Sequence, residues 1–205
     1  WSSDVCSSDL INWIKNDLTV RPSTNHMQVD FFKVFLESED ELCIPKFYAI
    51  EKFSIENIKE NLKNNVNHQE DLKNNLKFLL ELRDEQKNII KPILDAYQNY
   101  GGGILSLPCG FGKTIMALYF ISLLNKKTLI IVHREFLITH WVDKIKECLG
   151  NVNIKIIRSC SKILPDCDIA ICMLQTLAMQ DFSANYFDSI GHIIIDECHR
   201  VSTKL

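Results

Sequence analysis

The stretch Leu107-Pro-Cys-Gly-Phe-Gly-Lys-Thr114 limits what this chain can fold into more than any other feature. An apolar run at residues 104–107 leads into it, and an apolar helical pattern from Lys113 to about Leu124 follows it. Strand, glycine-bearing turn and helix in that order make a phosphate loop. Gly110 and Gly112 let the backbone turn tightly, so that in the cofactor-binding loop that includes Pro108, Cys109 and Phe111, successive N–H groups from Cys109 onward point at phosphate oxygens. Lys113 brings a point charge to the β- and γ-phosphates, and the Thr114 hydroxyl can ligate Mg²⁺. The helix N-terminus adds its positive dipole end. The general form G-x-x-x-x-G-K-[ST] has glycine where this chain has Leu107, so the loop is a variant. Nucleotide binding follows from it, but the reaction does not.

A second pattern, Ile193-Ile-Ile-Asp-Glu-Cys-His199, puts two carboxylates at the end of an apolar strand. An acid there points into the crevice at the carboxyl ends of a parallel sheet, where such folds bind ligands. Asp196 is the candidate Mg²⁺ ligand, and Glu197 the candidate group that orients and deprotonates an attacking water. Alone, a strand ending in Asp-Glu is often only a solvated terminus. Downstream of a phosphate loop, that bland reading becomes improbable, and Lys113, Asp196 and Glu197 form a candidate catalytic set.

From Arg83 onward the periodicity predicts an α/β fold. A helix beginning near Asp84 carries Gln86, Ile89, Ile90, Ile93 and Tyr97, with a kink or break expected at Pro92 and an end at Gly101-Gly-Gly103. Strands are expected at residues 104–107, 128–132, 152–157, 168–173 and 192–195. A helix with Ile138, Trp141, Val142, Ile145, Cys148 and Leu149 on one face should stop at Gly150. Continuous apolar strands alternating with helices imply a parallel sheet covered on both faces.

Ahead of this domain, residues 11–56 read as a small, mostly β accessory module, with strands expected around 29–36 and 42–50. Residues 57–75, dominated by Asn, Lys and Glu, read as a polar linker. Alternation at Leu76, Phe78, Leu80 and Leu82 predicts a strand that opens the α/β domain, residues 76–205. Residues 1–10 back-translate into a common sequencing-library adapter and are expected to be disordered and without function. Removing Asp4 and Asp9 with that segment moves the formal charge from −3 to −1. Near neutrality argues neither for nor against a nucleic-acid partner, because local backbone contacts suffice. The eight cysteines show no metal-ligand or disulfide spacing, and no apolar run is long enough to span a membrane.

These motifs resemble superfamily II helicases of the DECH or DEVH branch. The phosphate loop is similar to that of the helicases related to the TFIIH DNA translocase, and closer to the A18-like helicases of poxviruses and other large DNA viruses. Gly101-Gly-Gly-Ile-Leu-Ser-Leu-Pro-Cys-Gly110, Ile130-Ile-Val-His-Arg-Glu-Phe-Leu137, Met173-Leu-Gln-Thr-Leu177 and the box Asp196-Glu-Cys-His199 carry the likeness. The resemblance implies a RecA-like first motor domain that uses ATP and Mg²⁺. It implies that Gln86 reads the adenine edge, and that His133, Arg134, Gln175 and Thr176 touch a DNA or RNA backbone. His199 would couple the nucleotide site to the nucleic-acid face, while Trp141 reads as core. The family's second motor domain supplies an arginine to the γ-phosphate, contributing roughly three to five orders of magnitude in rate. Without that domain, residues 11–205 are expected to bind ATP weakly and hydrolyse it little. The implied protein is an intracellular, membrane-free DNA motor, with transcription machinery as a partner and virion, host cytoplasm or nucleus as its setting. An RNA motor, an inactive binding fragment and a small-molecule kinase are the alternatives. The kinase would have no use for the acidic box.

Overall fold

Five consecutive apolar or β-branched residues, Thr128–Val132, form a strand (β5) buried along its whole length. Ile169–Met173 (β7) is almost as completely buried. Such strands cannot leave one face in water, so they lie at the centre of a sheet covered on both sides. With Ile154–Ile157 (β6) and His192–Ile195 (β8) they make a four-stranded parallel sheet in the order β6-β7-β5-β8. The computed structural model describes residues 7–20, 31–39, 41–53, 72, 75–159, 163–183 and 185–200. The chain divides into two compact units, residues 1–62 and 63–205.

In the second unit, alternate residues of the central strands feed two cores. Ile130, Val132, Ile169 and Ile171 pack against helices Lys113–Leu124 (α5) and Glu135–Leu149 (α6), through Leu118, Ile121, Ile138, Trp141 and Ile145. Leu129, Ile131, Ala170 and Cys172 face the other way, against Tyr186, Ile190 and Leu174 and Leu177 of helix Leu174–Met179 (α7). α5 is apolar on all sides because it is covered on both. Its Met116 and Phe120 meet Leu82 and, on helix Ile90–Tyr100 (α4), Ile93 and Leu94.

The helix expected from Asp84 is two helices, Asp84–Lys87 (α3) and α4, broken at Asn88 and Ile89. Pro92 therefore falls in the first turn of α4, where its missing N–H has no helical partner to lose. Gly101 closes α4 in the left-handed conformation, φ +74°, its N–H on Tyr97 O.

Two expected strands are not strands. Residues 76–82 run extended but bond to helix ends: Leu76 N–H donates to Asn125 Oδ1 and Leu79 N–H to Cys148 O. The segment thus caps a terminal carbonyl of α6 at Cys148 and meets α5 through the side chain of Asn125 just past its end, and Leu76 and Phe78 pack against the core there rather than in a ladder. Residues 104–107 also stay outside the sheet, and Ile104 is 83% exposed. Glycines on one side and Pro108 on the other leave that apolar run too short a ladder, and only Leu105 joins a core cluster.

Among its described residues the first unit holds helix Ser7–Asp17 (α1), four two-residue strands and helix Lys46–Phe53 (α2). The strands Thr19–Val20 (β1) and Phe32–Lys33 (β2) pair as one antiparallel ribbon, and Leu36–Glu37 (β3) and Leu42–Cys43 (β4) as another. Two expectations are corrected here. Ser7–Leu10 are not disordered but form the start of a helix that continues to Asp17, because Leu10, Ile11 and Ile14 give it an apolar stripe. Phe47 and Tyr48 lie in α2, not in a strand, and Tyr48 donates to Asp17 Oδ2 at 2.9 Å. The expected linker, residues 57–75, lies outside the described residues apart from 72 and 75.

Candidate active site

The phosphate loop owes its shape to two left-handed glycines, Gly110 at φ +78° and Gly112 at φ +93°. At Gly112 a second constraint applies: a Cβ there would meet Gln86 Nε2 at 2.7 Å. The missing side chain is what admits Gln86, whose amide donates to Phe111 O at 2.9 Å. Gln86 Oε1 in turn accepts the Arg83 N–H at 3.0 Å. Gln86 is thus turned away from solvent and towards the loop. It is 3% exposed and braces the loop, with one of its two amide hydrogens committed there.

Arg83 joins the brace. Its guanidinium donates to Phe111 O and, at 3.4 Å, to Gly110 O, and it lies 5.9 Å from the centre of the Phe111 ring. Lys113 begins α5 and folds back, its ammonium donating to Leu107 O at 3.0 Å and Pro108 O at 3.4 Å. Thr114 follows it, half-buried, in the first turn. Cys109 and Pro108 are exposed.

The acidic box sits at the carboxyl end of β8. Asp196 continues the parallel ladder by one bond, its N–H donating to Ile131 O at 2.9 Å. Its carboxylate is held from α6, where the Trp141 indole N–H donates to Asp196 Oδ2 at 3.0 Å. Glu197 turns into the left-handed region, φ +56°, a conformation costing a non-glycine residue roughly 1–2 kcal/mol. Strain of this kind gathers at functional turns. Glu197 Oε2 lies 3.3 Å from His199 Nδ1, joining the box's second acid to the candidate coupling residue.

Because β7, β5 and β8 are parallel neighbours, they end at one edge: Val132 is in register with Met173, and Ile131 with Ile195. The residues after each strand end therefore lie side by side. Gln175 Nε2 donates to His133 O at 3.1 Å, bringing together the two segments expected to touch a nucleic-acid backbone. Arg134 and Gln175 are exposed and Thr176 is half-buried. His133 is half-buried, and its Nδ1 is buried with no hydrogen-bond partner among the described residues. That nitrogen faces inward, whereas the Arg134 side chain is exposed.

Sequence reading passed over three parts of this site: the Arg83 brace, the Trp141–Asp196 bond and the strained Glu197. A signal existed for the second, because a buried tryptophan N–H needs an acceptor. The donor set suits a magnesium nucleotide. A glycine cradle, a lysine ammonium and a threonine hydroxyl lie in one segment, and two carboxylates end the strand that carries the box.

Sheet order and site together define residues 63–205 as a RecA-like α/β domain. Residues 79–204 match the family described as "Type III restriction enzyme, res subunit", and the chain belongs to that family. Among curated relatives, the putative ATP-dependent RNA helicase L396 of Acanthamoeba polyphaga mimivirus is 27% identical over 99% of this chain and 39% of its own length. The transcript termination protein A18 of Yaba-like disease virus is 29% identical over 83% of this chain and 37% of its own. The DNA 3'-5' translocase XPB2 of Sulfurisphaera tokodaii is 40% identical over 34% of this chain and 15% of its own. The chain thus spans about two fifths of the length of the first two. The family implies ATP use. Among the described residues no helix is long and apolar enough to cross a membrane.

Proposed function

We propose that this chain supplies the ATP-binding first motor domain, residues 76–205, of a nucleic-acid-dependent ATPase that moves along or unwinds DNA, with residues 11–56 as an accessory module. The carrying observation is the shared edge at the carboxyl ends of β7, β5 and β8. There Gln175 and His133 are bonded to each other, and Asp196 follows the strand beside them. A small-molecule kinase has no need of such an edge. Lys113 and the loop amides would hold the phosphates. Thr114 and Asp196 would hold Mg²⁺, which supplies charge neutralisation on the phosphate oxygens. Glu197 would position and deprotonate the attacking water, with His199 relaying the state of the site. Arg134, Gln175, Thr176 and the main chain at His133 would grip the nucleic-acid backbone.

Binding measurements on the chain itself test this. A fluorescent ATP analogue should bind in Mg²⁺, and Lys113→Ala should weaken it by about two orders of magnitude, the scale of a charge-assisted contact. Single-stranded DNA should bind with a salt-dependent affinity that Arg134→Ala lowers. Analogue binding indifferent to Lys113 would sink the reading. One observation favours RNA instead, namely the name of the mimiviral relative, and a matched single-stranded RNA decides between the two. The name of the poxviral relative makes transcription machinery the partner to try first.

A further inference from the structure

We propose that Trp141 is a positioning residue for the magnesium site: its indole N–H holds one oxygen of Asp196 and leaves the other to face the metal. The inference rests on the nucleotide-site reading above. Trp141 is 2% exposed and packs among Ile130, Val132, Ile138 and Ile145, so its ring cannot swing to follow a moving partner. The indole has a single polar atom, a donor, and it is spent on Asp196 Oδ2 at 3.0 Å. Asp196 is consequently fixed at both ends, its main chain by Ile131 O and its carboxylate by the indole. Groups that orient a metal's ligands in this way typically change metal affinity ten- to a hundredfold when removed. A tryptophan that merely filled the core would need only its ring, and phenylalanine would supply most of that.

The same helix gives the contact a second meaning. Arg134 is the residue before α6, seven positions ahead of Trp141 and about 10 Å along the axis at 1.5 Å per residue. The residue placed for a phosphate and the residue that holds Asp196 are therefore carried by one helix.

Nitrogen-15 indole spectroscopy of the whole chain tests the proposal. The chain has three tryptophans, and Trp1→Phe and Trp13→Phe assign the Trp141 resonance by elimination. With a non-hydrolysable ATP analogue bound, adding Mg²⁺ should shift the Trp141 resonance, and Asp196→Asn should remove that shift. In Trp141→Phe the Mg²⁺ concentration for half-maximal analogue binding should rise about tenfold, while binding in EDTA stays at the parental level. A Trp141 resonance that ignores Mg²⁺, or a folded Trp141→Phe with parental Mg²⁺ dependence, overturns the proposal. If Trp141→Phe does not fold, the parental resonance decides alone. Analogue binding that Lys113→Ala leaves unchanged would instead bring down the nucleotide-site reading, and this proposal with it.

Discussion

Asp196 extends a parallel ladder and takes its position from strands buried on both faces, whereas residues 104–107 reach the phosphate loop with no strand beside them. The acidic box is therefore placed by long-range packing, through β5, α6 and Trp141. The phosphate loop is placed by chemistry close at hand, through two left-handed glycines and the side chains of Arg83 and Gln86. One half of the site should fail only when the core fails. The other should fail locally, while the domain stays folded.

Four measurements can break or sharpen that contrast. Ile171→Ala, at a fully buried position beside Trp141, should lower unfolding free energy by about 2–5 kcal/mol in a denaturant titration. Ile193→Ala, 56% exposed on β8, should cost no more than about 0.5–1 kcal/mol. Equal losses would mean that the sheet does not carry the box as described.

Next in size is a pH effect at the other end of the ladder. Burial holds the His192 imidazole down to about 4, with Thr128 Oγ1 3.4 Å away and the Tyr97 ring edge-on at 6.4 Å. Its folded-state value lies below the unfolded one near 6.5, so the unfolded chain binds the proton first. The stability that depends on a neutral His192 is full above pH 6.5 and falls away between pH 6.5 and 4, by up to about 3 kcal/mol. Subtracting the pH profile of His192→Asn from the parental one should leave that loss; superimposable profiles would refute it.

Gly112→Ala is the matching test of the loop. The forbidden φ and the 2.7 Å approach of Gln86 should together cost about 1–3 kcal/mol, seen as roughly ten- to hundredfold weaker nucleotide binding. The unfolding midpoint should move less than in Ile171→Ala. Smallest is Gln86→Ala, which removes two neutral hydrogen bonds, one donated to Phe111 O and one accepted from the Arg83 N–H, together about 1–2 kcal/mol. Hydrogen exchange should quicken at loop amides such as Phe111 while the Asp196 amide stays protected. Faster exchange at both would erase the distinction between the two halves.

Where one residue's type dictates one conformation, the sequence was easy to read. The run Thr128–Val132 could only be a buried strand, Gly150 ended α6 where expected, and the four strands of the sheet lie where apolar runs were seen. Apolar character alone does not decide a conformation whose partner is remote. Residues 76–82 and 104–107 have strand-like composition, yet whether a ladder forms depends on a neighbour that no local pattern names. The same holds for Lys46–Phe53, whose alternation suited a strand until packing around Ala49 made it a helix. The site was legible as motifs, since glycine, lysine and acid positions carry their chemistry in their types. The Trp141–Asp196 bond was not, because it joins residues far apart in the chain and only the fold makes them neighbours.

The cysteines, which show no metal-ligand or disulfide spacing, are sorted by exposure across the site. Cys109 lies exposed in the phosphate loop and Cys198 exposed in the acidic box, while Cys148, Cys167 and Cys172 are buried. Burial pushes the thiols of all three up, that of Cys172 to about 11, which keeps them protonated and slow to alkylate. With Cys6, Cys43 and Cys160 replaced by serine, the domain would carry one reactive thiol on each half of its nucleotide site. A donor and an acceptor dye attached there would turn the two differently held halves into a molecular ruler, reading their separation as ligands come and go.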